Sequence, residues 1–266
     1  MSLGNLNVST INNGAIGRKN LIINGDFQVN QRGVSSGHTA SGANEYTLDR
    51  WKILTSGQSI TWTGTYSKTV TVPAGGFTQI IEGLSIRTGT YVISWTGTAT
   101  CTVDGISKSS GDTFTLTEGT NCTVTFSSGT VANVQVEQGD AASQFESRSY
   151  GEELALCQRY FLKLNTEGAS TYAIIAGSGW TSAYTYLPYP FPVTMRSNPS
   201  VSSVGIISNI KVMNNATQTS ATSIGLAGGT NKDNAEIEIG HSSITVGNSR
   251  WIRLTGGNSL DFDAEL

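Results

Sequence analysis

From Glu45 onward the chain alternates apolar and polar residues over short runs punctuated by Gly, Asn, Asp and Ser. Tyr46 and Leu48 open one such run, which then shifts to Trp51, Ile53 and Leu54, as a strand with an irregularity around Asp49-Arg50 would. Phe114 and Leu116, then Cys122, Val124 and Phe126 keep the two-residue period, and Val131, Val134 and Val136 continue the alternation with one three-residue step. That period sets one face of a strand in a core and the other in water. Turn residues recur at about the 8 to 12 residue spacing of antiparallel sandwiches. Earlier, "NLIINGDFQV" (Asn20 to Val29) reads as an apolar strand interrupted by the turn-prone Asn24-Gly25 pair. "ITWTGT" from Ile60 is echoed by "ISWTGT" from Ile93, without a fixed period, so the two are strands of similar environment and not a repeat.

One stretch breaks the pattern. "SYGEELALCQRYF" (Ser149 to Phe161) has helical spacing: Leu154, Cys157 and Phe161 share a stripe with Tyr160 beside it. Ser149 followed by Glu152 fits a capping box, and Glu152 and Glu153 suit the positive end of a helix dipole. A helix of about ten residues is marginal alone, so the stripe needs a surface to pack on. Beyond it strands resume, and the prolines clustered from Pro188 to Pro199 mark an edge or extended loop. The reading is an all-β protein of two antiparallel, jelly-roll-like β-sandwiches joined by a short α-helix. Residues 1–19 form a polar, aperiodic arm, 20–148 the first sandwich, 149–164 the linker helix and 165–266 the second sandwich.

Composition narrows the function more than the fold. Only 13% of the 266 residues are charged and the net charge is -3, which leaves no basic surface for nucleic acid or anionic lipid. No apolar run approaches the roughly 18 to 20 residues of a membrane span, and the first residues lack the layout of a signal peptide, so a soluble protein made in the cytoplasm is expected. Cys101, Cys122 and Cys157 form no CxxC pair, and His38 and His241 are the only histidines; buried thiols are expected, with no disulfide framework, no metal site and no cofactor.

Three groups of residues are similar, as a set, to a modular family of tailed-phage tail fibre and receptor-binding proteins. They are "NLIINGDFQVNQRG" with "YTLDRW"; "VQVEQGDAASQFESRSYGEELALCQRYF"; and "FPVTMRSNPSV" with a terminal "DAEL". The matching positions include Asn24, Gly25, Asp26 and Phe27, then Asp49, Arg50 and Trp51, then Glu137, Gly139, Phe145, Glu146 and Arg148 leading into the helix. The resemblance implies a virion component of the tail, made in the host cytoplasm and assembled as a homotrimer. It attaches to another tail or baseplate protein by the N-terminal arm and displays loops to a host surface glycan or protein. It implies no enzyme. Related sugar-binding sandwiches often carry an acidic calcium ligand after "NGDF"; here Gln28 stands there, and an amide is a weaker ligand for a hard cation.

Trp180, Tyr184, Tyr186 and Tyr189 are the densest aromatic group near polar loops, with Asn165 and Arg196 close in sequence, and Trp180, Tyr184, Tyr186, Tyr189 and Arg196 are the candidate glycan contacts. Alternating aromatics in "YTYLPY" also suit a half-buried strand or a trimer interface. Leu154, Cys157 and Phe161 are the candidate oligomer interface. Trp51, Trp62 and Trp95 read as core, and Asp49-Arg50 as a buried pairing that fixes a bulge or strand end. Asp104, Asp112, Asp261 and Asp263 sit in turn-like or terminal settings, and no GxSxG elbow, Walker loop or Cys–His pairing appears, so no catalysis is expected. The competing readings are a baseplate, collar or head-decoration protein that binds only virion partners, and a carbohydrate-binding module of a secreted enzyme.

Overall fold

A computed structural model describes residues 19–165, 174–214, 217–242, 246, 249–255 and 257–266. All but Lys19 of the arm lies outside them. The chain divides into two compact units at a point within the helix, one ending at Glu153 and including Leu266, the other running from Leu154 to Glu265. Every strand pairing described is antiparallel.

The strands of the first unit are β1 (Glu45–Tyr46), β2 (Lys52–Ile53), β3 (Thr61–Thr63), β4 (Thr69–Val72), β5 (Phe77–Ile81), β6 (Gly89–Thr96), β7 (Thr100–Val103), β8 (Ile106–Lys108), β9 (Thr113–Leu116), β10 (Cys122–Ser127) and β11 (Gly129–Gln138). They form a six-stranded sheet in the order β1-β2-β5-β10-β7-β8 and a five-stranded sheet in the order β3-β4-β11-β6-β9. Both contribute to one core: Phe77, Val124 and Phe126 from the first sheet pack in a cluster with Val70, Ile93 and Val134 from the second. At its centre Trp51 stacks on Phe77 at 5.2 Å between ring centroids and touches Phe27 at 5.2 Å. Trp62 and Trp95 pack against the same cluster, half-buried. The alternation read from Phe114 to Val136 lies on β9, β10 and β11.

Two stretches expected as strands have other structures. Glu45 to Leu54 is a hairpin, with Tyr46 opposite Lys52 and a turn in which Arg50 adopts φ 70°. The irregularity at Asp49-Arg50 is therefore the turn itself. Both side chains are buried: the Asp49 carboxylate accepts from Gln31 N and Nε2, each at 2.6 Å, and Arg50 Nη2 donates to Ile80 O at 2.7 Å.

The other stretch, Asn20 to Val29, joins no ladder. Asn24 and Phe27 have φ of 59°, which breaks an extended run, and asparagine side chains replace sheet partners. Asn24 is fully buried: Nδ2 donates to Val29 O (2.9 Å) and Asp49 O (3.0 Å), Oδ1 accepts from Val29 N (2.9 Å), and its carbonyl accepts from Trp51 Nε1 (3.0 Å). Its own N–H donates to the Glu153 carboxylate at 2.5 Å. Gly25 passes so close to the irregular part of β11 that a Cβ would stand 2.3 Å from Val134 O.

Arg148 closes over this segment, donating through Nη1 to Ile22 O (3.1 Å) and Glu153 (3.3 Å) and through Nη2 to Asn20 O and Glu146 (3.2 Å). Burial pushes the Glu153 carboxyl upward, against the Asn24 amide and Arg148, which pull it down. Next to Gln28, the Lys68 ammonium donates to the carbonyls of Phe27 (2.7 Å) and Gln28 (3.3 Å) beside Asp26.

Helix α1 (Tyr150–Gln158) starts at the expected capping box: Ser149 N and Oγ donate to Glu152 at 3.0 and 2.8 Å. It is shorter than the linker predicted over 149–164, because Phe161 already belongs to a strand. The second unit contains β12 (Phe161–Asn165), β13 (Ile174–Ser178), β14 (Tyr184–Pro190), β15 (Ser200–Val204), β16 (Lys211–Asn214), β17 (Thr217–Leu226), β18 (Asn234–His241), β19 (Ser249–Arg253) and β20 (Ser259–Asp263). The expected second sandwich is instead a closed barrel, β13-β14-β18-β17-β16-β19, accompanied by a three-stranded sheet, β12-β20-β15. Closure depends on β19 pairing both β13 and β16, a register the alternation cannot reveal. Leu187, Val212, Ile237, Ile239 and Ile252 from the barrel and Leu162, Leu260 and Phe262 from the sheet share one core.

Asn24→Ala should strip a buried carbonyl pair and a buried N–H of their partners and cost about 2 to 5 kcal/mol. Asn30→Ala, which loses bonds to Val34 in a half-buried turn, should cost about 1 kcal/mol. Urea denaturation of the full chain checks both.

Candidate functional site

The barrel carries a groove on the outer face of β14 and β18. Along β14, Thr185 and Leu187 point inward, whereas Tyr184, Tyr186 and Pro188 face outward. Register then sets Glu238 opposite Tyr186 and Glu236 opposite Pro188. These four, with Ser178, Trp180, Ala227 and Gly228, line a groove of about 660 Å³, and Tyr184, on the same face of β14, lies outside the lining. Pro188 and Pro190 lie where β14 keeps register with β18 but has no β13 partner, because β13 pairs with it only at Ser178 and Tyr186. The missing N–H groups thus cost no described ladder bond, and the outer face stays open.

Trp180 is 77% exposed and stands on the turn between β13 and β14. The turn is built locally, with Thr181 Oγ1 accepting from Ala183 N (3.2 Å) and Tyr184 N (3.0 Å). Beneath it lies Arg250, fully buried, whose guanidinium fills the space where a Cβ on residue 179 would be, 2.1 Å from Cζ, so any side chain at Gly179 would displace it. Arg250 Nη1 donates to Thr185 Oγ1 (2.9 Å) and to His241 Nε2 (3.0 Å), and His241 Nδ1 donates to Ser242 O (2.8 Å). With Nδ1 on a carbonyl and Nε2 accepting from a guanidinium, the imidazole is held neutral. Burial, then the Arg250 charge, pushes its pKa below the ordinary 6.5, against the Ser242 carbonyl, which pulls it up.

The groove's acids are fixed by backbone and by tyrosine. Glu236 accepts from Gly229 N at 2.8 Å. A hydrogen bond to Glu238 is the main cause that raises the Tyr186 hydroxyl above its ordinary value, and it places Tyr186 against that carboxylate. Among the described residues no Lys, Arg or His lines the groove. Exposed aromatic faces beside hydrogen-bond acceptors suit a pyranose, whose apolar face stacks on a ring while its hydroxyls donate to carboxylates.

The structure brings only part of the predicted set together. Trp180 and Tyr186 line the groove, and Tyr184, 39% exposed, is adjacent. Tyr189 is on the opposite face of β14, stacked on Phe262 at 5.8 Å and 4°. Arg196 is held elsewhere, donating through Nε to Ala264 O (2.7 Å) and through Nη2 to Glu265 O (2.9 Å), so it ties down the C-terminal strand and is no groove residue. Glu236 and Glu238 were not anticipated. Their alternation in "EIEIGH" marks an outward acidic face, but only the pairing with β14 sets it beside the aromatics.

Of the predicted interface stripe, Cys157 and Phe161 are buried within the chain itself, and Phe161 lies on β12 rather than on the helix; Leu154 is half-buried. All three cysteines are free and buried, and burial pushes the Cys101 and Cys122 thiols up to about 12. A second groove of about 450 Å³ lies in the first unit, beside Trp95, Lys108 and Asp112. Its Trp95 is packed edge-on against Phe126, and Lys108 Nζ is bonded to Thr113 O at 2.8 Å, which leaves less free recognition surface than Trp180 offers. Compared with known proteins, the chain matches no family model, and no curated protein matches it.

A histidine held neutral gives stability that is fully present above about pH 6.5 and is lost as the pH falls through that value toward its lowered pKa in the fold. Thermal unfolding of the wild type should therefore drop below pH 6.5 more steeply than that of His241→Gln. Parallel pH profiles would refute the assignment.

Proposed function

We propose that this chain is a tail fibre or tail-tip protein of a tailed phage that binds a host cell-surface glycan during adsorption, through the groove on the barrel. The observation that carries the reading is Trp180: a tryptophan 77% exposed, on a turn braced by buried Arg250, beside a groove of aromatic and acceptor side chains. Large apolar side chains held in water by a built support are what a stacking platform requires.

Two of the three motif groups support the family assignment in a further way. Asn24 of "NGDF", Asp49 and Trp51 of "DRW", and Arg148 and Glu153 of the helix entry are not scattered but bonded to one another through Asn24 and its neighbours. A shared module would retain such residues together because each loses its partner without the others. In this reading the first unit is the sandwich module, residues 1–19 attach to a virion partner, and the protein works as a homotrimer in which half-buried Leu154 is the interface position left accessible on the helix stripe. The role is recognition, with no catalytic step.

Purified protein should bind susceptible cells and compete with phage for adsorption, and Trp180→Ala should reduce that binding by about tenfold or more. Binding unchanged by Trp180→Ala would exclude the groove; no binding to cells and no competition by the wild type would point to a purely structural virion component.

A further inference from the structure

The groove's chemistry selects among glycans. Its acceptors, Glu236 and Glu238, lie two residues apart on the outward face of one strand, Glu238 opposite Tyr186 and Glu236 opposite Pro188. Glu236 is oriented by Gly229 N, so it is positioned before any ligand arrives, and Glu238 stands beside it opposite Tyr186. Among the described residues neither forms an ion pair with a Lys or Arg, and the lining holds no cation. The indole of Trp180 and the ring of Tyr186 supply the remaining polar attraction, the negative face of an aromatic system.

Two carboxylates and two rings around one groove repel an acidic sugar. They favour a ligand that is apolar on one face and positively charged at one substituent. A hydroxyl-only sugar can donate to these carboxylates but leaves both negative charges in place, whereas an ammonium set between two carboxylates on one strand face also neutralises them.

Resting on the receptor-binding reading above, we infer that the groove recognises a glycan bearing a protonated amine, a hexosamine whose nitrogen is not acylated, with the ammonium between Glu236 and Glu238 and the sugar face on Trp180. Uronic acids and phosphorylated sugars are excluded by the same charges.

The test is calorimetric titration of the full chain with an oligomer of glucosamine, with its fully N-acetylated counterpart and with an oligogalacturonate. The two hexosamine probes differ only at the nitrogen. The glucosamine oligomer should bind at least about tenfold more tightly than the acetylated one. Its affinity should fall with added salt and with deprotonation of the amine, and the galacturonate should not bind. Glu236→Gln and Glu238→Gln keep shape and should each remove most of the preference for the free amine.

Equal or weaker affinity for the glucosamine oligomer than for the acetylated one, including no binding to either, overturns the inference. Cell adsorption of the same variants separates the two claims. Adsorption that depends on Trp180 but is indifferent to both glutamates leaves receptor binding standing and the amine specificity refuted; adsorption indifferent to all three positions removes the groove from adsorption altogether.

Discussion

A single buried asparagine organises the first unit. Asn24 has no strand partner, yet its amide, carbonyl and side chain together satisfy the backbone of Val29 and Asp49, the indole of Trp51 and the carboxylate of Glu153. Unsatisfied polar groups at that depth would each cost on the order of 1 to 3 kcal/mol, so the surrounding segments have little freedom to rearrange separately. The aromatic core follows from it: Trp51 is oriented through its N–H, and Phe27 and Phe77 pack on it and on each other. Arg148 and Glu146 complete the enclosure from the far end of the unit.

The barrel rests on a different principle. There the sheet closes on itself, so the barrel has no free edge, and a buried polar cluster of Arg250, Thr185 and His241 lies beneath the turn that carries Trp180. Arg250 serves that turn as a rigid floor: it fills the gap left by Gly179 and links through Thr185 and His241 to β14 and β18, the two strands that form the groove. In the proposed glycan-binding role, a fully buried floor would keep Trp180 in place without ligand and so lower the ordering cost of binding.

Much of this was legible in the amino-acid order, for identifiable reasons. The alternation from Phe114 to Val136 gave β9 to β11, and the Ser149–Glu152 pair gave the helix start, because both signals are local. The segment from Asn20 to Val29 misled because its apolar residues are buried by asparagine-mediated bonds that leave no periodic trace. Barrel closure and the meeting of Tyr186 with Glu238 rest on register between strands about fifty residues apart in sequence, which no window of alternation contains. Tyr189 and Tyr186 show the same limit in reverse: three residues apart in one aromatic run, they fall on opposite faces of the strand.

The clasp around Asn20 to Asn24 has a consequence for the order of events during synthesis. Its closing bonds join residues up to 129 positions apart, such as Asn24 with Glu153. A nascent chain emerges from its N-terminus, so the "NLIING" segment leaves the ribosome long before Arg148 and Glu153 exist to hold it. Completion of the first unit must therefore wait for the first turn of the helix, and the helix entry acts as the latch that tells a finished module from an unfinished one.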